Sequence, residues 1–506
     1  MEYFKSPRFA SHVEKLMKEH RVPGLAIAIM QDDQIASAGY GNACIDPVKT
    51  CTADTLFDIA SLSKSLTAAA VALLIDDDDR YPDVQWDTPV SKILPEDFVM
   101  ADARYTEDVT VEDILSHRSG LPGHDLSYIS IRGEQPDDAR SVTRNLRNLA
   151  VAAPIRSKYM YCNMMYTVAT HLVEVKTQQS FSQFLEERIF QPLGMTSTSL
   201  QPSSARAKGL GDRMAPGYFW DKENGRHHEF DIPDCPEAQG AGSITTSVND
   251  LILWVKALMN HEGPISERLY DSLVRMRAIA DTSTKDLKPY TSPVLYAAGL
   301  DVYYYRGHMV VGHDGMISGA ASRFFFLPGL KFGVVMLGNS AEVGNFTMTL
   351  TRALVDELLQ VPDAERIPQM ESQEGHDPSE QNKPDQKDSE DTQTDSQDSG
   401  KEQTMPLEAY TGTYRNPGYH ALTVEVKNDQ LFVDATDRSF GFRLTFEHIG
   451  GQTKYTVHLS DYWEGGDDPM DAEFILDGGR PIKLGIHLEE DLKEKIWFER
   501  ADVEKA

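Results

Sequence analysis

Residues 57–75 read FDIASLSKSLTAAAVALLI. From Leu66 onward the segment is apolar on nearly every side of a 3.6-residue period, the mark of a buried helix rather than a surface one. Ser61 and Lys64 stand three apart at its start, so a hydroxyl and an amine share one face of the first turn. A helix N-terminus offers free N–H groups and the positive end of the helix dipole, both favourable to a developing oxyanion. A lysine held against an apolar wall loses solvation, its neutral form becomes accessible, and it can take a serine proton. Ser63 is the competing nucleophile, but it lies about 200° round the helix from Ser61. Ser-x-x-Lys alone is a short pattern, and a capping serine with a surface lysine explains it equally well.

Outward from this helix, residues 1 to 365 mix strand and helix signals. GLAIAIMQDDQIASAGYGNA predicts two strands around an Asp32-Asp33 turn, and ASRFFFLPGLKFGVVMLGNS two more around Pro328-Gly329. Mostly helical segments lie between them, including 249–259. Strand pairs at both ends with helices between predict an α+β domain: one antiparallel sheet built from both termini, flanked by helices, with an all-helical region beside it. Residues 370–403 then hold eleven acidic residues, three lysines and almost nothing apolar, so 366–404 is expected to be a loosely draped tether. Beyond it, over 405–506, the period becomes two: Leu422, Val424 and Val426 alternate with Thr423, Glu425 and Lys427 before an Asn428-Asp429 turn, and further strands follow. A small all-β barrel or sandwich is expected there.

Two further segments carry chemistry. SKYMYCNMMYTVATHLVE (157–174) places Tyr161 and Asn163 two apart before another apolar stretch. A phenol beside a lysine can move a proton between nucleophile and leaving group, and an amide can orient the lysine and the substrate carbonyl. A buried tyrosine and a capping asparagine are the plainer alternative. VVGHDGMISGAASRFFFL (310–327) puts His313, Asp314 and Gly315 on a strand edge next to a turn, where glycine permits close backbone approach to a ligand. An ordinary hairpin with a surface histidine is the alternative there.

Taken in this order the three segments resemble the serine β-lactamase and penicillin-binding-protein superfamily, in particular its class C β-lactamase, D-aminopeptidase, D,D-carboxypeptidase and esterase branch. VTVEDILSHRSGLPGHD, IFQPLGMTSTSL and AQGAGSITTSVNDLILWV extend the resemblance over nearly all of residues 10–360. It implies a β-lactamase/transpeptidase-like fold. It implies Ser61 as acyl-accepting nucleophile, Lys64 as its proton partner and Tyr161 as base and then acid, with the first proton going to either Lys64 or Tyr161. Asn163 would hold Lys64 and the substrate amide. The backbone N–H groups of Ser61 and Met316 would form the oxyanion hole beside Gly315. His313 stands where many β-lactamases carry the lysine of Lys-Thr-Gly. A histidine is only partly charged near neutral pH, which favours an esterase, amidase or D-aminopeptidase-like activity over a dedicated β-lactamase. Cys162 reads as packing, with no basic partner to activate it. LEAYTGTYRNPGYHALTVEVKNDQLFV resembles the lipocalin-like barrels appended to some of these enzymes, which implies a module that packs on the catalytic domain or mediates a homo-oligomer.

Composition bounds the rest. The chain has 506 residues and a formal charge of −30, which argues against nucleic acid or an anionic membrane as partner. The longest apolar run, Ala68 to Ile75, has eight residues where a membrane span needs about 20. The start lacks the apolar block of a secretory signal, so a soluble cytoplasmic protein is expected. Four cysteines make no framework; Cys44 and Cys51 could pair, but reduced thiols are the expectation. Asp76–Asp79 read as a solvated loop rather than a cation site, and the adjacent His227 and His228 lack helical zinc spacing. No phosphate loop or dinucleotide fingerprint appears, so no cofactor and no metal are expected. The predicted function is therefore a serine hydrolase acting on a small-molecule or peptide amide or ester, through an acyl-Ser61 intermediate. An acyltransferase on the same residues and a non-catalytic binding protein are the alternatives.

Overall fold

The structure, a computed structural model, describes residues 1–367 and 403–501 apart from 223 and 283–286. The acidic stretch predicted as a tether falls mostly outside the described residues. In chain order the strands and helices that build the site are β1 (Gly24–Gln31), β2 (Gln34–Cys44), β3 (Phe57–Asp58), α1 (Ser63–Asp76), α2 (Asn163–Thr177) and β4 (Ile244–Thr246). They continue with α3 (Val248–Asn260), β5 (Asp301–Tyr305), β6 (His308–Ile317), β7 (Ala320–Leu327), β8 (Phe332–Gly338) and α4 (Gly344–Leu358).

The main sheet is nine-stranded and runs 49–50, β2, β1, β8, β7, β6, β5, 295–296, 278–279. Both expected hairpins are present, and β1 pairs antiparallel with β8 with Ile27 opposite Met336, so the two ends of the domain close one sheet. Its central strands are buried on both faces, and strand alternation divides their side chains between two layers. Leu25, Ile27 and Ile29 pack with Val334, Met336 and Phe325 against the helix Pro7–Glu19 and α4. Ala26, Ala28 and Met30 face the opposite layer with Val335, Leu337 and Phe324, where α1 and α3 lie. Small side chains at 26 and 28 leave room for a helix on that face. Ser247 starts α3 by accepting the Asp250 N–H at 3.2 Å, the usual service of an N-cap serine.

Every residue of α1 from Ser63 to Ile75 is buried, as its all-round apolarity requires. Its few polar groups are satisfied internally: Ser65 Oγ accepts from Trp254 Nε1 at 3.1 Å, and Thr67 Oγ1 donates to the Gly240 carbonyl at 2.8 Å. Gly299 adopts φ +66 against the Lys64 carbonyl, where an added Cβ would stand 2.5 Å from that oxygen.

Residues 412–500 form a closed, eight-stranded antiparallel barrel in simple up-and-down order. Tyr410, Tyr414, Phe446, Tyr455 and Phe474 fill its interior with ring centroids 5.0–6.1 Å apart, so the barrel encloses a packed core. Leu422 and Val424 point inward as the alternation predicts, but Val426 is 37% exposed. It sits at the strand's end beside the Asn428-Asp429 turn.

The barrel is bonded to the first domain on two sides. Arg132 reaches the carbonyls of Thr436 and Arg438, Asn145 Nδ2 donates to the Gly418 carbonyl at 2.9 Å, and His124 meets Tyr419 and Glu489. On the sheet side Glu464 accepts the Gly319 N–H at 3.1 Å and Trp463 stacks on Phe230 at 4.4 Å. Phe230 ends the hairpin 217–230, so that hairpin meets the barrel through this ring.

Candidate active site

Before α1 the chain makes a tight approach. Asp58 on β3 accepts the Ala60 N–H at 2.7 Å, and Ala60 adopts the left-handed conformation at φ +46. A non-glycine residue there costs on the order of 1–2 kcal/mol, held by the surrounding structure. A short 3-10 turn, Ala60–Leu62, then carries Ser61 just ahead of the regular helix. Ser63 is fully buried, and its hydroxyl accepts from the Ile244 N–H, which removes it as a competing nucleophile.

Ser61, Lys64, Tyr161 and Asn163 come together. Ser61 Oγ lies 2.9 Å from Lys64 Nζ and 2.8 Å from the Tyr161 hydroxyl. Lys64 Nζ also donates to Asn163 Oδ1 at 2.8 Å and to the Ala241 carbonyl at 3.0 Å. The Asn163 amide has one admissible orientation, because its Nδ2 donates to both Asp125 oxygens at 3.1 and 3.2 Å. Two of the three neighbours of Nζ are thus oxygens that can only accept. An uncharged amine has two N–H bonds for them and a lone pair left over, and the lone pair falls to Ser61. Burial drives the Lys64 ammonium down to about 7, against the partial opposition of Asp125 and Cys162. Burial also pushes the Tyr161 phenol well above its ordinary range, so it is a neutral O–H at rest.

His313 lies on β6. The last β5–β6 pair is Asp301 with Gly312, so residues 313–317 run past the end of β5 and keep β7 as their one paired strand. The expected strand edge is therefore local, at one end of a strand that is interior elsewhere. Gly315 presses on the nucleophile turn: an added Cβ would meet the Ile59 carbonyl and Ser322 Oγ at 2.4 Å and Ser61 N at 3.1 Å. The Met316 side chain is 43% exposed. Asp314 turns the other way and holds Arg323 through two contacts at 2.6 Å, which commits that guanidinium.

Burial, with Lys64 nearby, lowers His313 to about 4, so it is neutral rather than partly charged at pH 7. Its ring belongs to a chain with one consistent set of protons. His313 Nδ1 faces the Asp314 carbonyl at 2.5 Å and must donate, leaving Nε2 to accept from the Tyr296 hydroxyl at 3.0 Å. His117 Nδ1 accepts the Cys162 N–H at 3.0 Å, so its Nε2 carries the proton and donates to Tyr296 at 3.2 Å. The His117 ring lies 4.3 Å from that of Tyr161 and backs it. The sequence patterns gave His117, Tyr296, Asp125 and the Ala241 carbonyl no part in this cluster. His117 and Asp125 stand in the stretch 109–125, but nothing in their spacing announces a partner some 40 residues away.

Apart from Cys162, which lies beside Tyr161, the other groups weighed in the sequence stand away from this cluster. The four cysteines are free, and burial pushes Cys162 up to about 12, which suits packing. Asp76 and Asp77 pair with Arg268 and Arg80, and Asp78 accepts from Gln85. His228 meets Asp221 while His227 meets the Arg21 carbonyl. Among the described residues no three His, Cys, Asp or Glu side chains gather as for a metal, and no helix is long and apolar enough to cross a membrane.

Comparison with known proteins adds an independent line. Residues 9–357 match the family model described as Beta-lactamase, and residues 396–500 one described as Domain of unknown function (DUF3471). A relative named Unguisins hydrolase ungD, from Aspergillus violaceofuscus, is 33% identical over 98% of this chain and 91% of its own length. Among solved structures, the octameric penicillin-binding protein homologue from Pyrococcus abyssi covers 97% of this chain and 99% of its own, with TM-score 0.61 and 20% identity. D-amino acid amidase from Ochrobactrum anthropi SV3 covers 65% of this chain and 90% of its own, with TM-score 0.51 and 23% identity. At these identities the two structures are alike in fold.

Proposed function

The chain belongs to the Beta-lactamase family, and from that premise we propose that it is a serine hydrolase cleaving an amide or ester through an acyl-Ser61 intermediate. One observation carries the reading: Lys64 Nζ, buried and surrounded by two obligate acceptors, has its third direction on Ser61 Oγ. Ser61 gives its proton to the Lys64 lone pair as Oγ attacks the substrate carbonyl carbon. The N–H groups of Ser61 and Met316 receive the oxyanion, each such donor being worth on the order of 2.7–4 kcal/mol of barrier. Tyr161, protonated at rest and 2.8 Å from Oγ, hands its proton to the departing nitrogen or oxygen and is reprotonated through Lys64. Water then attacks the acyl ester by the reverse route. Asn163, itself held by Asp125, keeps Lys64 in place.

The substrate class follows from charge. His313 is neutral and Arg323 is committed to Asp314, so neither offers a cation to a carboxylate beside the scissile bond. Neutral amides and esters fit such a site better than carboxylate-bearing lactams do. The relative named as an unguisins hydrolase, similar along nearly the whole chain, supports hydrolysis as the outcome. The test is turnover of chromogenic esters, D-amino-acid amides, a cephalosporin and acyl thioesters, each with and without acceptor alcohols. Hydrolysis unaffected by acceptor, and lost in Ser61→Ala with the fold intact, is expected; partition of product to the acceptor would make the protein an acyltransferase instead.

A further inference from the structure

The barrel comes within one residue of the reacting cluster at His124. This residue adopts the left-handed conformation at φ +49, and its backbone N–H and both ring nitrogens are occupied. Its Nε2 faces the Ala150 carbonyl at 2.8 Å and must donate, which leaves Nδ1 to accept from the Tyr419 hydroxyl at 2.7 Å. Its backbone N–H donates to Glu489 Oε2 at 2.7 Å. Tyr419 and Glu489 belong to the barrel domain; Tyr419 is buried and Glu489 half-buried. The next residue is Asp125, whose carboxylate takes the Asn163 amide N–H group and so turns Asn163 Oδ1 toward Lys64.

We infer that Glu489 and Tyr419 are positioning residues for the hydrolytic cluster: they lock His124, His124 places Asp125, and Asp125 orients the amide that holds Lys64. The inference rests on the roles proposed above for Ser61 and Lys64. Other contacts between the domains end elsewhere. Lys158 meets Asp491 at the exposed rim at 3.2 Å, and Arg132 meets the carbonyls of Thr436 and Arg438; neither pairing touches Asp125 or Asn163. The connection through His124 is also chemically specific. A glutamate or a glutamine can accept from a backbone N–H, an alanine cannot, and a phenylalanine at 419 cannot donate to Nδ1. Loss of either contact frees a strained peptide, and displacement of a reacting group by about 1 Å costs up to about a hundredfold in rate.

The experiment uses the full chain with Tyr419→Phe, Glu489→Ala, Glu489→Gln and, as an interface control, Lys158→Ala. Ser61 labelling by a fluorophosphonate counts active sites, and kcat and KM are then measured per labelled site across pH. Tyr419→Phe and Glu489→Ala are expected to lower kcat about ten- to a hundredfold with KM within about twofold. Glu489→Gln and Lys158→Ala are expected to stay near the parent rate. The limb on which kcat/KM rises as Lys64 loses its proton is expected to move to lower pH in the two impaired variants, since the Asn163 oxygen stabilises the ammonium more strongly than the neutral amine. The titratable groups facing Lys64 are Asp125, Cys162, His117, His313, Tyr161 and Tyr166, and none of them is altered. A lower melting temperature with parent kcat per site and an unmoved limb would overturn the inference, leaving these residues as interface packing. So would Glu489→Gln falling as far as Glu489→Ala. A crystal structure of Tyr419→Phe gives a reading independent of turnover: Asn163 Oδ1 still on Lys64 would also overturn it. Absence of Ser61 labelling in the parent protein would instead strike the hydrolase reading itself.

Discussion

Replacing Lys64 by methionine should abolish turnover and, at the same time, make the protein relatively more stable as the pH falls. Lys64 is fully buried, and its ammonium is lowered from 10.5 to about 7, chiefly by loss of solvation. Below pH 7 the folded and unfolded chains both carry the proton, and the folded state bears the whole cost of burying it. At ~1.36 kcal/mol per pH unit that cost is about 5 kcal/mol. Between pH 7 and 10.5 the unfolded chain binds a proton that the folded chain does not, so this part of the stability rises with pH; above 10.5 the difference vanishes. Methionine has nearly the same length and no proton. It leaves Asn163 Oδ1 and the Ala241 carbonyl without a donor, at about 1–3 kcal/mol each, but that loss does not depend on pH. The stability of Lys64→Met relative to the parent should therefore improve by about 2.5–3 kcal/mol on going from pH 9 to pH 6, whatever its absolute sign. Urea denaturation of both proteins at pH 6, 7, 8 and 9 measures it; titrating groups remote from Lys64 cancel in the difference, whereas Asp125, His117 and His313, whose protonation Lys64 itself shifts, do not. Parallel curves for the two proteins would refute the reasoning: Lys64 would then keep its ordinary ammonium in the folded state and could not receive the Ser61 proton.

The same titration predicts that kcat/KM rises with pH through a limb near 7, as Lys64 loses its proton; a limb confined to the carboxylate range would exclude Lys64 as the base. Tyr296→Phe strips His117 Nε2 of its acceptor and His313 Nε2 of its donor, so chemical denaturation should show a loss of about 1–3 kcal/mol. With Nε2 freed, His313 should also gain its proton at a higher pH, visible as a higher midpoint for its ring resonances in an NMR titration. Gly315→Ala drives a Cβ to 2.4 Å from the Ile59 carbonyl and Ser322 Oγ, and should cost about 1–3 kcal/mol while slowing fluorophosphonate labelling of Ser61. Unchanged labelling in that variant would separate the Gly315 strand from the oxyanion site.

Much of the fold was legible because its determinants are local. The two hairpins follow from apolar runs broken at Asp32-Asp33 and Pro328-Gly329, and both form as read. The buried helix follows from apolarity on nearly all sides of 66–75, and the barrel from a period of two that begins after the acidic stretch. Where local reading strayed, the reason lies in position along an element. Val426 keeps the alternation but overhangs the barrel beside its turn, and His313 sits on an interior strand whose neighbour happens to stop at Asp301.

By itself the chain's order of residues determined which side chains could react: Ser61 and Lys64 three apart on one turn, a phenol and an amide two apart, a glycine where backbone must approach. Tertiary structure decided their states. Whether Lys64 holds its proton depends on the solvation it loses among α1, α2 and the Ala241 carbonyl, and His313 is neutral because β6 buries it beside that same amine. The tautomer of His117, the orientation of Asn163 and the contact of the barrel with His124 each depend on a partner distant in sequence. Desolvation and hydrogen-bond direction are properties of what surrounds a group in space, and a pattern along one chain does not contain them.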